Sequence, residues 1–164
     1  MIIMKFGGTS VGSREAIERT IGIVRGRLAE RPVVVVSAMS KVTDMLYAIS
    51  DAVEAGDKAA ADAALADLRR KHLVTAAELM PSDPLWREEA YSRINGIIDS
   101  MQAVADGLAA AGTKPGPREK AVFNSKGEYL SSNMIACYMN SIGIRTAWVD
   151  ARDFMLTDND YLQR

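Results

Sequence analysis

Two short apolar runs near the N-terminus are each followed by a segment whose apolar residues recur at helical spacing. The first run, residues 2–6, stops at two glycines, and the second, 33–36, consists entirely of valine. Apolar residues in 13–32, and again from Val42 onward, are three or four positions apart. This order predicts a βαβ unit with a parallel sheet, and a β-branched run such as 33–36 is typical of a sheet covered on both faces. The two predicted buried stripes are Ile17, Ile21, Val24 and Leu28, then Leu46, Ile49 and Val53.

The middle of the chain shows two longer helical patterns. Residues 51–80 are rich in alanine and predict one long helix. Asp83 followed by Pro84 is typical of a helix start, and the loop at 112–117 ends this second helix. The predicted buried stripes are Ala61, Leu65, Leu68, His72 and Leu79, then Trp86, Ala90, Ile94, Ile97, Met101, Val104 and Leu108.

The last part of the chain is less regular. Residues 118–126 favour no single structure, whereas 127–141 predict a helix that ends at Gly143. A third strand is predicted near 145–149, and it leads to Asp150. The inward side chains of the helix are Leu130, Met134 and either Cys137 or Tyr138.

Composition indicates a folded globular protein and excludes several classes. The 164 residues are 48% hydrophobic and 25% charged, which excludes disorder of the whole chain. The content of 12 Gly and 1 Cys excludes a collagen and a disulfide framework. A formal net charge of −1 offers no basic surface, so we expect neither nucleic acid nor a membrane as a partner. The lone Cys137, without an N-terminal export signal, predicts a cytoplasmic location.

The chemistry-bearing feature lies between the first strand and the first helix. Gly7 and Gly8 allow close approach to an anion, Thr9 and Ser10 add hydroxyl donors, and Lys5 adds a positive charge at the strand's carboxyl end. This pattern favours a phosphate site, but it is neither a P-loop nor the dinucleotide-binding fingerprint. A tight turn followed by a serine helix cap explains the same residues equally well.

Four segments together resemble the aspartate kinases, which belong to the amino-acid kinase superfamily. The most specific is Lys-Phe-Gly-Gly-Thr-Ser-Val at 5–11. The others are Val-Val-Val-Ser-Ala at 34–38 with Val-Thr-Asp at 42–44, Gly-Glu-Tyr-Leu-Ser-Ser at 127–132, and Asp150 with Leu-Thr-Asp at 156–158. The chain departs from the family pattern at Tyr129, where many members carry Arg, and at Lys126, where a small or apolar residue is usual.

The resemblance implies a fold, a three-layer αβα sandwich with a mainly parallel sheet. It also implies an enzymatic reaction. Aspartate kinases transfer the γ-phosphoryl group of ATP to the β-carboxylate of L-aspartate, the first step toward lysine, threonine and methionine. Lys5 would then neutralise the transferring group, and the turn after it would hold the phosphates. Thr43 and Glu128 would contact aspartate, with Ser37 a weaker candidate. From the residues alone, Thr43 could instead cap a helix, and Glu128 could form a capping box with Ser125.

The resemblance also sets the expected extent of the chain. Residues 1–164 correspond to the N-terminal portion of a kinase catalytic domain, without the remainder of the nucleotide site and without the ACT regulatory domains. We therefore expect the isolated chain to be inactive and its parent to be a homo-oligomer. No metal-ligand spacing occurs, so Mg²⁺ is expected to enter with ATP. His72 and Cys137 are expected to be packed core residues.

Three alternatives remain open from the sequence. The first is another amino-acid kinase, for example one similar to N-acetylglutamate kinase. The second is the kinase portion of a bifunctional aspartate kinase–homoserine dehydrogenase. The third is a non-catalytic fragment that binds substrate or mediates oligomerisation.

Overall fold

The computed structural model describes residues 1–155, which form two strands and six α-helices. β1 (Ile2–Phe6) and β2 (Pro32–Val36) pair in parallel, so that Lys5 lies opposite Val35. The helices are α1 (Arg14–Arg25), α2 (Val42–Ala55), α3 (Lys58–Leu79), α4 (Pro84–Ala111), α5 (Pro117–Asn124) and α6 (Lys126–Ser141). Short 3₁₀ turns occupy Gly8–Val11, Leu28–Glu30 and Ala151–Asp153. The predicted α/β class with an N-terminal βαβ unit is confirmed.

Side-chain caps fix where three of the helices begin. Ser13, Asp57 and Asp83 each accept a hydrogen bond from the backbone N–H three residues later, at 3.3, 3.0 and 3.1 Å. These bonds satisfy N–H groups that have no acceptor inside their own helix. Pro84 occupies the first turn of α4, as predicted, because the missing proline N–H costs nothing there.

The prediction of one helix over 51–80 is wrong, because the helix is interrupted at residues 56 and 57. Gly56 adopts a left-handed conformation with φ of 72°, and its N–H group closes the end of α2. Asp57 then caps α3. A left-handed glycine followed by an N-cap aspartate ends one helix and starts the next, and this local signal outweighs the alanine-rich composition.

The core lies among the helices. The predicted stripes of α3 and α4 are buried or partly buried, and His72 is fully buried within them. α6 packs against both helices, with Leu130, Met134 and Cys137 inside. Leu28 is an exception at 40% exposure, because α1 has already ended at Arg25. Among residues 1–155, no helix combines the length and apolar character needed to cross a membrane.

Helices cover only one face of the two-stranded sheet in the described part of the chain. Phe6 and Val36 point toward the helices, whereas Ile3, Val33 and Val35 on the other face are 72%, 47% and 41% exposed. This differs from the coverage on both faces expected for the valine run. Successive strand residues alternate between faces, and the helices of residues 1–155 pack on one side.

The strand predicted near 145–149 does not form within residues 1–155. The Asn140 side chain donates to the carbonyl of Thr146 at 3.0 Å and accepts from its N–H at 3.1 Å. Further along, Trp148 Nε1 donates to Ser132 Oγ at 2.9 Å. The segment is therefore tied to α6, and side-chain groups occupy the backbone atoms of Thr146 that a neighbouring strand would use.

Candidate functional site

The connections that follow β1 and β2 lie at the same edge of the sheet. The N–H group of Ser37 donates to the carbonyl of Phe6 at 3.0 Å, which extends the ladder one residue beyond β2. Because the strands are parallel, the turn at 7–12 and the loop at 37–41 both leave from their carboxyl ends.

Two glycines allow these connections to touch. A Cβ atom at Gly8 would lie 2.8 Å from the carbonyl oxygen of Ala38, and one at Gly12 would lie 2.8 Å from Ser40 Cβ. Real Cβ atoms do not approach so closely, so both positions require glycine. Gly7 differs, because a Cβ there would meet no atom within 4 Å. Sequence reasoning identified Gly8 from its motif but missed the packing role of Gly12.

The start of α6 is the third element at this edge. A Cβ atom at Gly127 would lie 2.6 Å from Ala38 Cβ, so the helix can approach the loop only with glycine at this position. Ser131 Oγ donates to the carbonyl of Ser37 at 2.8 Å. We call the turn at 7–12, the loop at 37–41 and the first turn of α6 the sheet-edge site.

The turn at 7–12 offers unused backbone donors. The Ser10 N–H group donates to the Gly7 carbonyl at 2.9 Å, whereas the N–H groups of Gly8 and Thr9 donate to no acceptor in residues 1–155. The Ser10 carbonyl accepts from Thr20 Oγ1 at 2.7 Å, which ties the turn to α1. Thr20 is buried, and no motif in the sequence indicated this role.

The predicted charged and hydroxyl side chains at the site are accessible. Lys5, Thr9, Thr43 and Glu128 are exposed, and Ser37 is half-buried. Lys5 lies on the face of the sheet that the helices leave open, and neither Lys5 nor Glu128 has an ion-pair partner within residues 1–155. The site therefore combines unpaired donors and a cation, which suit a phosphate, with a carboxylate, which suits an ammonium group.

The structure contradicts the helix-capping interpretation of both Thr43 and Glu128. α2 begins after Lys41, which has a left-handed φ of 65°, and no side chain caps it. Ser125 Oγ donates to the Val122 carbonyl at 3.1 Å instead of accepting from α6, and the capping box is absent. Both side chains are thus available to a ligand. Leu156, Thr157 and Asp158 of the fourth segment lie outside the described residues.

A polar and aromatic cluster lies beside the first turn of α6. We call it the Tyr129 clamp, and it consists of Tyr129, Trp148, Asp150 and Arg152. The Tyr129 hydroxyl is hydrogen-bonded to Asp150 and accepts from Arg152 Nη2 at 2.6 Å. Arg152 also binds Asp150 through Nη2 at 2.6 Å and Nε at 3.0 Å, and these bonds hold the pKa of Asp150 well below its usual range. Burial, then the bond to Asp150, raises the pKa of Tyr129.

The groups that the sheet-edge site offers to a ligand suit an anion and an ammonium group. Among residues 1–155, no three His, Cys, Asp or Glu side chains come together as a metal-binding group. Cys137 is buried, and burial raises the pKa of its side chain. The unreactive thiol is therefore favoured over the nucleophilic thiolate. His72 is likewise enclosed in the core.

Comparison with known proteins places the chain in one family. Residues 1–163 match the amino acid kinase family. The chain is 35% identical over 154 residues to the bifunctional aspartokinase/homoserine dehydrogenase 1 of Arabidopsis thaliana, covering 94% of this chain and 16% of that protein. It is 32% identical over 161 residues to aspartokinase 1 of the same plant, covering 96% of this chain and 27% of that protein.

A solved structure shows the same fold. Escherichia coli aspartokinase III, crystallised with lysine and aspartate, superposes with a TM-score of 0.79 at 24% identity. The match covers 98% of this chain and 34% of that protein. The chain thus spans between about a sixth and a third of the length of these relatives. It belongs to the amino acid kinase family.

Proposed function

We propose that this chain supplies the phosphate-binding turn and part of the amino-acid site of an aspartate kinase. The reaction is transfer of the γ-phosphoryl group of ATP to the β-carboxylate of L-aspartate. The observation that carries the proposal is that the 7–12 turn, the 37–41 loop and the first turn of α6, which carries Glu128, meet at the carboxyl edge of the sheet, with Lys5 two residues before the turn. Relatives named aspartokinases, and a homologous structure with aspartate and ADP bound, support it.

Phosphoryl transfer between two anions requires positioning and charge neutralisation more than covalent chemistry. Lys5 contributes a cation beside the sheet edge, and the free N–H groups of Gly8 and Thr9 contribute donors without a charge. The hydroxyl groups of Thr9 and Ser10 add to the same cradle. Mg²⁺ would arrive bound to the triphosphate and screen its charge, because this ion is held mainly by water and substrate phosphates.

The acceptor needs groups of both signs around it. Glu128 supplies the carboxylate that would hold the α-ammonium group of aspartate, and Thr43 supplies a hydroxyl from the first turn of α2. Ser37 uses its backbone in the bonds to Phe6 and Ser131, so its hydroxyl is the part left for a ligand. Aspartate would then lie between the phosphate turn and α6.

The isolated chain is proposed to be inactive, as the N-terminal portion of a larger catalytic domain. The chain covers about a third of aspartokinase III, and the open sheet face leaves Lys5 uncovered on one side. We further propose that the complete protein is homo-oligomeric and cytoplasmic, with Cys137 kept reduced. Both monofunctional and bifunctional relatives match nearly the whole chain, so the proposal concerns the kinase reaction alone.

A substrate assay on the complete gene product tests the proposal. ADP release is followed with L-aspartate, L-glutamate and N-acetylglutamate as acceptors, and turnover is expected with aspartate. Turnover with N-acetylglutamate alone, or with none of the three, would refute the assignment. In parallel, calorimetric titration of the 164-residue chain with Mg-ATP is expected to give no measurable heat, and tight binding would contradict the view that this portion is incomplete.

A further inference from the structure

The two positions at which this chain departs from the family pattern contact each other. The ammonium group of Lys126 lies 5.2 Å from the centroid of the Tyr129 ring. The guanidinium group of Arg152 lies 4.9 Å from the same centroid. Position 129 thus has a guanidinium group beside it although the residue itself is tyrosine, and the aromatic ring is attractive to both cations.

Tyr129 joins α6 to the segment that follows it. The ring packs edge-on against Trp148, with centroids 5.0 Å apart and an interplanar angle of 79°. The hydroxyl bonds to Asp150 and Arg152 fix the tip of the same ring. Trp148 itself donates to Ser132 on α6. The clamp therefore has an aromatic contact and a charged hydrogen-bond network at the same turn of helix.

The opposite side of this turn rests on the loop after β2. Gly127 lies against Ala38, and Ser131 bonds to Ser37. Glu128 stands between Gly127 and Tyr129 in the chain, and its carboxylate accepts no hydrogen bond within residues 1–155. Its position is consequently set by how the turn is held from both sides, not by bonds of its own.

We propose that Tyr129, together with Asp150 and Arg152, is a positioning residue that aims Glu128 at the ammonium group of the amino-acid substrate. This inference rests on the function proposed above. The clamp fixes the rotation of the first turn of α6 about its axis, whereas the contact of Gly127 fixes its distance from the loop. Loosening the clamp leaves the phosphate turn intact and weakens aspartate recognition selectively.

Kinetics of the complete gene product test this inference. Tyr129→Phe keeps the ring contacts with Trp148, Lys126 and Arg152 but removes both hydroxyl bonds. The KM for aspartate should rise about five- to tenfold, with the KM for ATP within about twofold of wild type, since one or two hydrogen bonds of ordinary strength are lost. Tyr91→Phe is the matched control, because the Tyr91 ring is packed against the core but its hydroxyl makes no hydrogen bond within residues 1–155, and it should leave both constants unchanged.

A double variant shows whether Tyr129 acts through Glu128. Glu128→Gln should raise the KM for aspartate by itself, and adding Tyr129→Phe should then have little further effect. Additive effects, or equal increases in both KM values, would overturn the inference. A wild-type protein that turns over aspartate while Tyr129→Phe is unchanged would refute the positioning role alone. A wild type without aspartate turnover would instead refute the proposed function.

Hydrogen exchange reports on the clamp without any substrate. In Tyr129→Phe, the amides of residues 129–133, the first with acceptors inside α6, should exchange faster than in wild type, while those in the middle of α3 should not change. Exchange that is equal in the two proteins at 129–133 would overturn the inference, whatever the kinetics.

Discussion

Replacement of Gly127 by alanine should destabilise the protein, although alanine is the better helix former. The new Cβ would lie 2.6 Å from Ala38 Cβ, about 0.8 Å inside the ordinary contact limit of 3.4 Å. It would also lie 3.2 Å from Leu46 Cδ1 and 3.3 Å from Val42 Cγ1. Leu46 can adjust its side chain, but Ala38 Cβ is fixed to the backbone, so α6 or the loop must move.

Overpacking of this kind costs about 1–3 kcal/mol. The helix propensity of alanine offsets at most about 1 kcal/mol of it, and less in the first turn of a helix. Gly96→Ala in α4 is the matched control, because a Cβ there meets nothing within 4 Å and the position is exposed. The control should gain about 0.5–1 kcal/mol, so the two variants are expected to differ in sign.

Thermal and urea denaturation of the two variants and wild type provide the comparison. Each kcal/mol shifts the midpoint by about 2–4 °C for a chain of this size. Gly127→Ala should therefore melt below wild type and Gly96→Ala above it. The packing argument fails if Gly127→Ala is at least as stable as wild type, since the close approach of α6 to Ala38 would then not exist in solution.

Three further predictions concern other parts of the molecule. Burial lowers the pKa of His72 to about 4, so on acidification the unfolded chain takes up a proton at this side chain before the folded chain does. The free energy of unfolding should therefore fall by about 2 kcal/mol from pH 7 to pH 5. Urea denaturation of His72→Gln should not show this loss. Lys5→Met should lower the kcat of the complete protein by about a hundredfold in the ADP-release assay, with an unchanged melting temperature because the side chain is exposed. Thr20→Val should lower the free energy of unfolding by about 1–2 kcal/mol in urea, because it leaves the carbonyl of Ser10 without its 2.7 Å donor; an unchanged value would show that water replaces the threonine.

Local signals explain what the sequence predicted correctly. Residues within a few positions of one another determine three features. These are the second strand with its valines at 33–36, the start of α4 at Asp83 and Pro84, and the buried stripes of α3 and α4. Gly56 and Asp57 carry the same kind of local signal, and it outweighs the alanine content that predicts a single helix over 51–80.

Features that depend on distant residues could not be predicted in this way. Thr146 is held by the side chain of Asn140, and nothing in the residues around 146 distinguishes such a segment from a strand. The coverage of the valine run on one face also depends on where helices far along the chain are packed.

In the candidate site, too, local motifs predicted some features, whereas others depend on contacts between distant residues. The motif at 5–11 and the segment at 127–132 indicated which residues matter, and the structure brings their backbones to one edge. The pattern Ser125 to Glu128 is also a capping box by sequence, and only the backbone of Ser125, already helical, shows that no box forms. The Tyr129 clamp joins residues about twenty positions apart, so no local motif reveals it.

The open face of the sheet favours self-association of the isolated chain. Ile3, Val33 and Val35 present apolar side chains to water, and each strand of this two-stranded sheet has an unpaired edge within residues 1–155. Such a surface invites stacking and edge-to-edge pairing between copies. Threonine at positions 33 and 35 retains the β-branched shape while making the face polar, and it should raise the concentration at which the isolated chain stays monomeric.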